Sequence, residues 1–205
     1  MNFNVKRFVN SFFNSNSYIL HHPDAKECWL IDCGDAEPII EWLNEDGKIL
    51  AGIFITHTHF DHIYGLNQIL SNFSDCVIYT SQYGKEGLYS DKLNLSAYHQ
   101  ESFVLQSDSL QILKNADKIQ LWENIAINTL TTPGHDRSCL SYLVEECFFT
   151  GDSYIPGQKV ITTFPKSNKE QANESIQKII NLFLDNTIVF PGHGEYKKMG
   201  ALRRF

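Results

Sequence analysis

Residues 56–62 read Thr-His-Thr-His-Phe-Asp-His and gather three of the chain's eight histidines and an aspartate within six positions. Imidazole and carboxylate together suit zinc, iron or manganese better than calcium or magnesium, which prefer oxygen alone. His57 and His59, two apart on extended backbone, project the same way and can grip one ion. Asp61 and His62 open the next turn, point elsewhere and can grip a second. A solvated polar turn is the plain alternative. Against it, four ionisable groups crowded behind an apolar strand need a shared counter-charge.

Three further residues of ligand type stand where an expected strand runs into a turn. His135 lies in Thr132-Pro133-Gly134-His135-Asp136, Asp152 in Phe149-Thr150-Gly151-Asp152, and His193 in Phe190-Pro191-Gly192-His193-Gly194. Each has glycine beside it, which lets backbone approach a crowded centre. Singly, each reads as a turn histidine or an aspartate bonded to its own backbone. Together with residues 57–62 they read as one site assembled at strand ends.

The elements that would position these groups follow from the apolar pattern. Strands are expected over 5–9, 17–21 and 27–31, separated by turn-forming clusters, then a helix over 36–44 with Pro38 in its first turn. The apolar run 49–56 predicts a strand buried on both faces, and the spacing of Ile63, Leu66, Ile69 and Leu70 predicts a helix over 62–70. A strand over 77–80 precedes an irregular excursion, 81–106, whose Tyr83, Tyr89 and Tyr98 are candidates for a lid. Strands resume from Ile119, over 125–130, 139–144 and 148–149. A helix over 168–184 follows, opened by a capping box between Ser167 and Glu170, and then a strand over 187–190. Strands, helices, strands, helix is the order of two packed sheets with helices outside.

Composition bounds the function. The chain has 205 residues, 42% of them hydrophobic and 20% charged, with no repeat or low-complexity linker, so one domain over 1–205 is expected. The formal charge of -7 disfavours nucleic acid as a partner. Lys197, Lys198, Arg203 and Arg204 form the nearest thing to a basic cluster and read as a solvated tail. No apolar run is long enough for a membrane span, and no export signal is visible. The five cysteines are scattered without a Cys-x-x-Cys pair and read as buried apolar residues of a reducing compartment, so a cytoplasmic location is expected.

Taken in order, from Ile31-Asp32-Cys33-Gly34 through the 57–62 cluster to Pro191-Gly192-His193-Gly194, the motifs resemble those of the metallo-β-lactamase-fold metallohydrolases. The resemblance runs through the whole chain. It implies an α/β (α+β) fold, a four-layer αβ/βα sandwich with a dinuclear metal site at one edge of the sheets. It assigns His57, His59 and His135 to one metal and Asp61, His62 and His193 to the other, with Asp152 between them. The cofactors implied are two divalent ions, zinc first, with iron or manganese as alternatives. Asp32 matches an acidic residue near the site, either orienting a ligand or bonded to nearby N–H groups as a turn carboxylate.

Within the family, the short glyoxalase II-like (hydroxyacylglutathione hydrolase-like) branch is the nearest look, on Thr132-Pro133-Gly134-His135, Thr150-Gly151-Asp152-Ser153 and Leu93-Asn94-Leu95-Ser96. The resemblance implies hydrolysis of a small-molecule thioester or ester by hydroxide held between the metals, with Asp61 or solvent protonating the leaving group. Asp136 stands where many relatives carry threonine, the stretch after Asp152 lacks a Gly-Arg pair, and no room is left after His193 for the helical domain that contacts glutathione. These departures bear on the thiol carrier. Tyr154, Lys159 and Lys166 are candidates for the substrate groove, though surface lysines are abundant. Other readings stay open: a persulfide dioxygenase with one iron on His57, His135 and Asp152, a lactonase, or a non-catalytic metal-binding module. A nucleophilic cysteine is unsupported, because Cys139 begins an apolar strand.

Overall fold

The computed structural model describes residues 2–201. The first half of the chain supplies β1 (Asn4–Val9), β2 (Asn16–His21), β3 (Glu27–Ile31), α1 (Ala36–Glu45) and β4 (Ile49–Phe54). It continues with α2 (Leu66–Asn72), β5 (Val77–Thr80), α3 (Gln82–Leu88) and β6 (Leu110–Ile112). The second half supplies β7 (Lys118–Trp122), β8 (Ile125–Thr131), β9 (Leu140–Val144), β10 (Cys147–Gly151), α4 (Lys169–Asn181), β11 (Ile188–Pro191) and β12 (Lys197–Lys198). Strands β1 to β6 form one sheet in sequence order, and the other runs β12-β11-β10-β9-β8-β7.

The period-2 alternation of each buried strand sorts its side chains between two cores. Ile19, Leu30, Ile53 and Ile78 face outward from the first sheet, onto Ile39 and Leu43 of α1 and Leu66 and Ile69 of α2. Their neighbours Tyr18, Leu20, Trp29, Ile31, Phe54 and Tyr79 face inward, onto Ile127, Leu140, Tyr142, Phe149 and Phe190 of the second sheet. Phe148 and Val189 face away from that middle core onto Ile179 of α4 and Phe183. The result is helix, sheet, sheet, helix, the expected sandwich. Each fully buried large side chain contributes roughly 1.5–3 kcal/mol, and the aromatic stacking of Phe54 on Tyr79, centroids 4.6 Å apart, fixes orientation as well.

The two sheets are also bonded to each other along one edge. The Leu140 N–H donates to the Thr56 carbonyl at 2.7 Å, and the Asn16 N–H to the Gly192 carbonyl at 2.7 Å. The Tyr142 hydroxyl donates to the Ile55 carbonyl at 2.7 Å and the Tyr18 hydroxyl to the Pro191 carbonyl at 2.6 Å. Every one of these bonds lies where a strand ends and a ligand-bearing turn begins.

Four local expectations are corrected. The helix expected over 62–70 is a 3-10 turn at Phe60–His62 followed by α2 from Leu66. Backbone groups between them are taken by the Asp32–Gly34 turn, with Cys33 N–H donating to His62 O at 2.8 Å and Gly65 N–H to Cys33 O at 3.2 Å. The irregular stretch 81–106 contains α3, capped by Ser81, whose hydroxyl accepts from Gly84 N–H at 2.9 Å. Its glycines hid the helix because they serve close packing: a Cβ on Gly87 would stand 2.1 Å from Thr58 Oγ1. Helix α4 is capped by Asn168, whose side chain accepts from Gln171 N–H at 3.0 Å, and Ser167 instead donates to the His135 carbonyl. Short β6 and β12 carry too few residues to show a period.

No disulfide joins the five cysteines, all of which are buried. Lys197 and Lys198 are exposed on β12, while Arg203 and Arg204 lie outside the described residues. Among the described residues no helix is long and apolar enough to cross a membrane.

Candidate metal centre

Four strand ends deliver the cluster. Residues 57–62 follow β4, His135 follows β8, and Asp152 and His193 follow the parallel neighbours β10 and β11, whose pairing of Gly151 with Pro191 brings them out side by side. All seven sequence-selected side chains meet. His57, His59 and His135 form one triple with ligand atoms within 4.8 Å of one another, and Asp61, His62 and His193 form a second. A third triple takes one histidine from each, His57 and His62, and adds Asp152.

The Asp152 carboxylate is central. Its Oδ2 lies 3.5 Å from His135 Nε2 and 3.4 Å from His193 Nε2, and its Oδ1 lies 3.7 Å from His62 Nε2. Asp61 Oδ2 lies 3.3 Å from His193 Nε2 and 3.5 Å from His62 Nε2. Gly192 permits this crowding, because a Cβ there would stand 2.1 Å from Asp152 Oδ1.

Partners behind the cluster orient the rings. His62 Nδ1–H donates to Asp32 Oδ2 at 2.9 Å, and the Asp32 carboxylate also accepts from Thr56 N–H at 2.7 Å and the Thr56 hydroxyl at 2.6 Å. Both readings of Asp32 therefore hold at once. It satisfies turn N–H groups and it aims a ring. His135 Nδ1–H donates to the Ile161 carbonyl at 2.9 Å, which turns Nε2 inward. The His135 turn is itself held against α4, where Asn168 N–H donates to Gly134 O at 2.7 Å and the Ser175 hydroxyl to Pro133 O at 2.7 Å. Gly134, at φ +139, lies so close that a Cβ would meet the Ala172 backbone at 2.2 Å.

Electrostatics divide the seven. Burial, reinforced by neighbouring imidazoles, pushes His57 well below the ordinary histidine range and His59 to about 4. Burial works against charge on His62 too, but Asp61, Asp32 and Asp152 outweigh it and hold the ring at about 9. His193 is likewise raised against burial, to about 10, by Asp152 and Asp61. Burial would raise Asp152, yet its bond from His193 and the charge on His62 keep it well below the carboxylate range. Protons on His62 and His193 thus balance two carboxylates. Even so, the buried His57 Nε2 and Asp152 Oδ1 have no hydrogen-bond partner, an arrangement that costs free energy unless a cation faces them.

A cavity of about 530 Å³ opens onto the cluster, lined by Asp61, His59, His135, Asp152 and His193 on its floor. Of the expected groove and lid residues, only Tyr98 lines it. Tyr154 packs on Phe183, Tyr89 donates to the Ser107 carbonyl, and Tyr83 lies under Arg137. Lys159 is exposed, and Lys166 lines a smaller neighbouring recess. Sequence reasoning missed Thr56, Ser167 and the Ile161 carbonyl, whose roles come from backbone geometry. Asp136, noted in the sequence only as a departure from the threonine of many relatives, is buried with Oδ2 4.0 Å from His59 Nε2.

A family model described as the metallo-beta-lactamase superfamily matches residues 10–193. The chain is 26% identical over 149 residues to a hydroxyacylglutathione hydrolase of Pseudoalteromonas translucida (strain TAC 125), covering 73% of this chain and 50% of that protein. It therefore spans about half of that relative's length. It is 27% identical over 183 residues to the probable metallo-hydrolase YqgX of Bacillus subtilis (strain 168), covering 88% of this chain and 85% of that one. The crystal structure of BLEG-1 B3 metallo-beta-lactamase superposes with a TM-score of 0.88 at 26% identity, covering 96% of this chain and 95% of that chain.

Proposed function

The chain belongs to the metallo-β-lactamase superfamily, and from that premise we propose that it hydrolyses a small-molecule thioester or related ester at a dinuclear centre. His57, His59 and His135 would hold one divalent ion and Asp61, His62 and His193 the other, with Asp152 as a ligand available to both. The observation that carries this is the third triple, in which Asp152 joins one histidine from each of the other two. Zinc, iron and manganese all suit the donor set.

When bound, such a pair of ions supplies Lewis acidity and a water acidified to near neutral pH. The residues of the chain do the rest. Asp32 and the Ile161 carbonyl fix the tautomers of His62 and His135, keeping each Nε2 free for a cation. Asp61 lines the cavity as well as the cluster, so its carboxylate is placed to relay a proton toward the departing thiol. Cys139 takes no part, because burial pushes its thiol up and out of reach of ionisation.

A complete second triple, Asp61–His62–His193, favours hydrolysis over a single-iron dioxygenase, which needs only His57, His135 and Asp152. An open cavity at the cluster favours catalysis over a closed structural site. The deciding experiment is elemental analysis of protein purified without added metal, followed by assay against thioesters, esters, lactones and a β-lactam before and after chelation. About two equivalents of metal and chelator-reversible thioester cleavage are expected. One equivalent of iron with oxygen uptake on glutathione persulfide would overturn the proposal.

Metal loading also reports on the ligands. His62 and His193, at about 9 and about 10, carry at pH 7 the protons a cation must displace. Filling the site at pH 7 therefore releases about two protons, and affinity rises with pH until those groups are deprotonated. Calorimetry in buffers of differing ionisation enthalpy reads the number directly. Zero release would remove both histidines from the ligand set.

A further inference from the structure

We infer that the cavity beside the cluster selects its substrate by an uncharged apolar group. Resting on the hydrolase reading, this makes the substrate class a thioester or ester bearing an aromatic or branched aliphatic group. Above the cluster the wall is built from Phe13, Leu95, Tyr98, Ile161, Phe164 and Pro165, and among the described residues no lysine or arginine lines it. Apart from His99, the histidines and carboxylates that reach the cavity, His59, Asp61, His135, Asp152 and His193, belong to the cluster itself. A carrier bearing carboxylates would lose its hydration against these apolar side chains, none of which returns a cation. Lys92 and Lys166 line an adjoining recess of about 40 Å³ that shares His59, Leu95, Phe164 and Pro165 with the cavity.

The backbone supplies an independent observation. Phe13 and Asn14 both have φ 53, and Ser15 N–H donates to Phe12 O at 3.3 Å, which makes residues 12–15 a type I′ turn. Asparagine and glycine are the residues that turn favours, and a bulky phenylalanine in its first central position is strained. Leu95 stands at φ 68. Among the described residues, these are the only two large apolar side chains at positive φ, and both line this cavity. Strain kept at bulky wall positions is retained for what the side chains do there.

Burial does not repay Phe13, whose exposure is 63%. Its turn is nonetheless fixed in place. The Asp35 carboxylate accepts from Ser11 N–H at 2.7 Å and the Ser11 hydroxyl at 2.8 Å, and from the Tyr64 hydroxyl at 2.5 Å. Asp35 N–H in turn donates to Asn10 Oδ1 at 3.0 Å. The ring of Phe13 is therefore a positioned wall, 5.8 Å between centroids from His99.

The test compares metal-loaded protein on the phenylacetyl and acetyl thioesters of N-acetylcysteamine and on S-lactoylglutathione. Binding of a non-hydrolysable phenylethyl thioether of the same thiol is measured by equilibrium dialysis. The phenylacetyl thioester is expected to have the lowest KM. Phe13→Asn, which tolerates left-handed backbone, is expected to lower that preference about fivefold to tenfold and to weaken thioether binding alike. The melting temperature should hold, since relieved strain offsets the lost ring contact. Leu95→Asn serves the same purpose should Phe13→Asn fail to fold. Turnover with equal KM for acetyl and phenylacetyl, or with S-lactoylglutathione preferred, overturns the inference and leaves the hydrolase reading standing. Thioether binding that Phe13→Asn weakens, with no ester or thioester cleaved, sinks the hydrolase reading and keeps the cavity's selectivity. Neither binding nor turnover overturns both.

Discussion

Asp152→Ala is expected to abolish turnover and to lower metal content while the far-UV spectrum stays that of the folded protein. Asp152 is the carboxylate whose two oxygens face three histidines, His62, His135 and His193, within 3.7 Å. Removing a group that faces both triples should cost more than the ~10–100-fold typical of a partner behind a ligand. The fold survives because the side chain meets the cluster rather than a hydrophobic core, and strand β10 ends one residue earlier, at Gly151. Without the carboxylate, His62 and His193 lose a counter-charge and should shed protons rather than unfold the sheet edge. Metal content by elemental analysis, circular dichroism and thioester turnover measured together separate the effects. Full turnover in the variant would show that the centre does not depend on this carboxylate.

Asp32→Asn should be the second most damaging change, although Asp32 lies behind the cluster. The native carboxylate accepts three donors, Thr56 N–H, the Thr56 hydroxyl and His62 Nδ1–H. An amide keeps one oxygen for the Thr56 N–H and turns an NH₂ toward the other two. The hydroxyl can rotate to accept, but His62 can accept only by moving its proton to Nε2, the atom that faces Asp61 and Asp152. A ring in that tautomer cannot take a cation. Metal affinity should fall about 10–100-fold, with a stability loss of about 1–3 kcal/mol for the poorly satisfied buried groups. Chelator competition reads the first and denaturant unfolding of metal-free protein the second. Unchanged affinity with lowered stability would reduce Asp32 to a turn carboxylate.

The seven clustered residues were legible in the sequence because their side-chain types are scarce, their spacing is tight, and each follows an apolar strand. The central strands were legible because both faces are largely buried, so β4 reads as an apolar run and β5 spans the expected 77–80. What stayed hidden was decided by contacts between distant segments. The 3-10 turn at Phe60–His62 exists because the Asp32–Gly34 turn takes its backbone groups, and no local pattern encodes that. Ser167 and Asn168 are adjacent and both are good caps. Only the nearness of the His135 carbonyl decides which one serves the helix. The walls of the cavity were hidden for a related reason: Phe13 and Leu95 break the rule that left-handed positions take small residues.

The bonds from Asn16 and Tyr18 to the Pro191–Gly192 backbone also set a timetable for assembly. His62 precedes His193 by 131 positions, so a ribosome releases the first four donors long before the last. Only when residues beyond β11 emerge can the early hairpin clasp them, and the second triple, Asp61, His62 and His193, is the last to be completed.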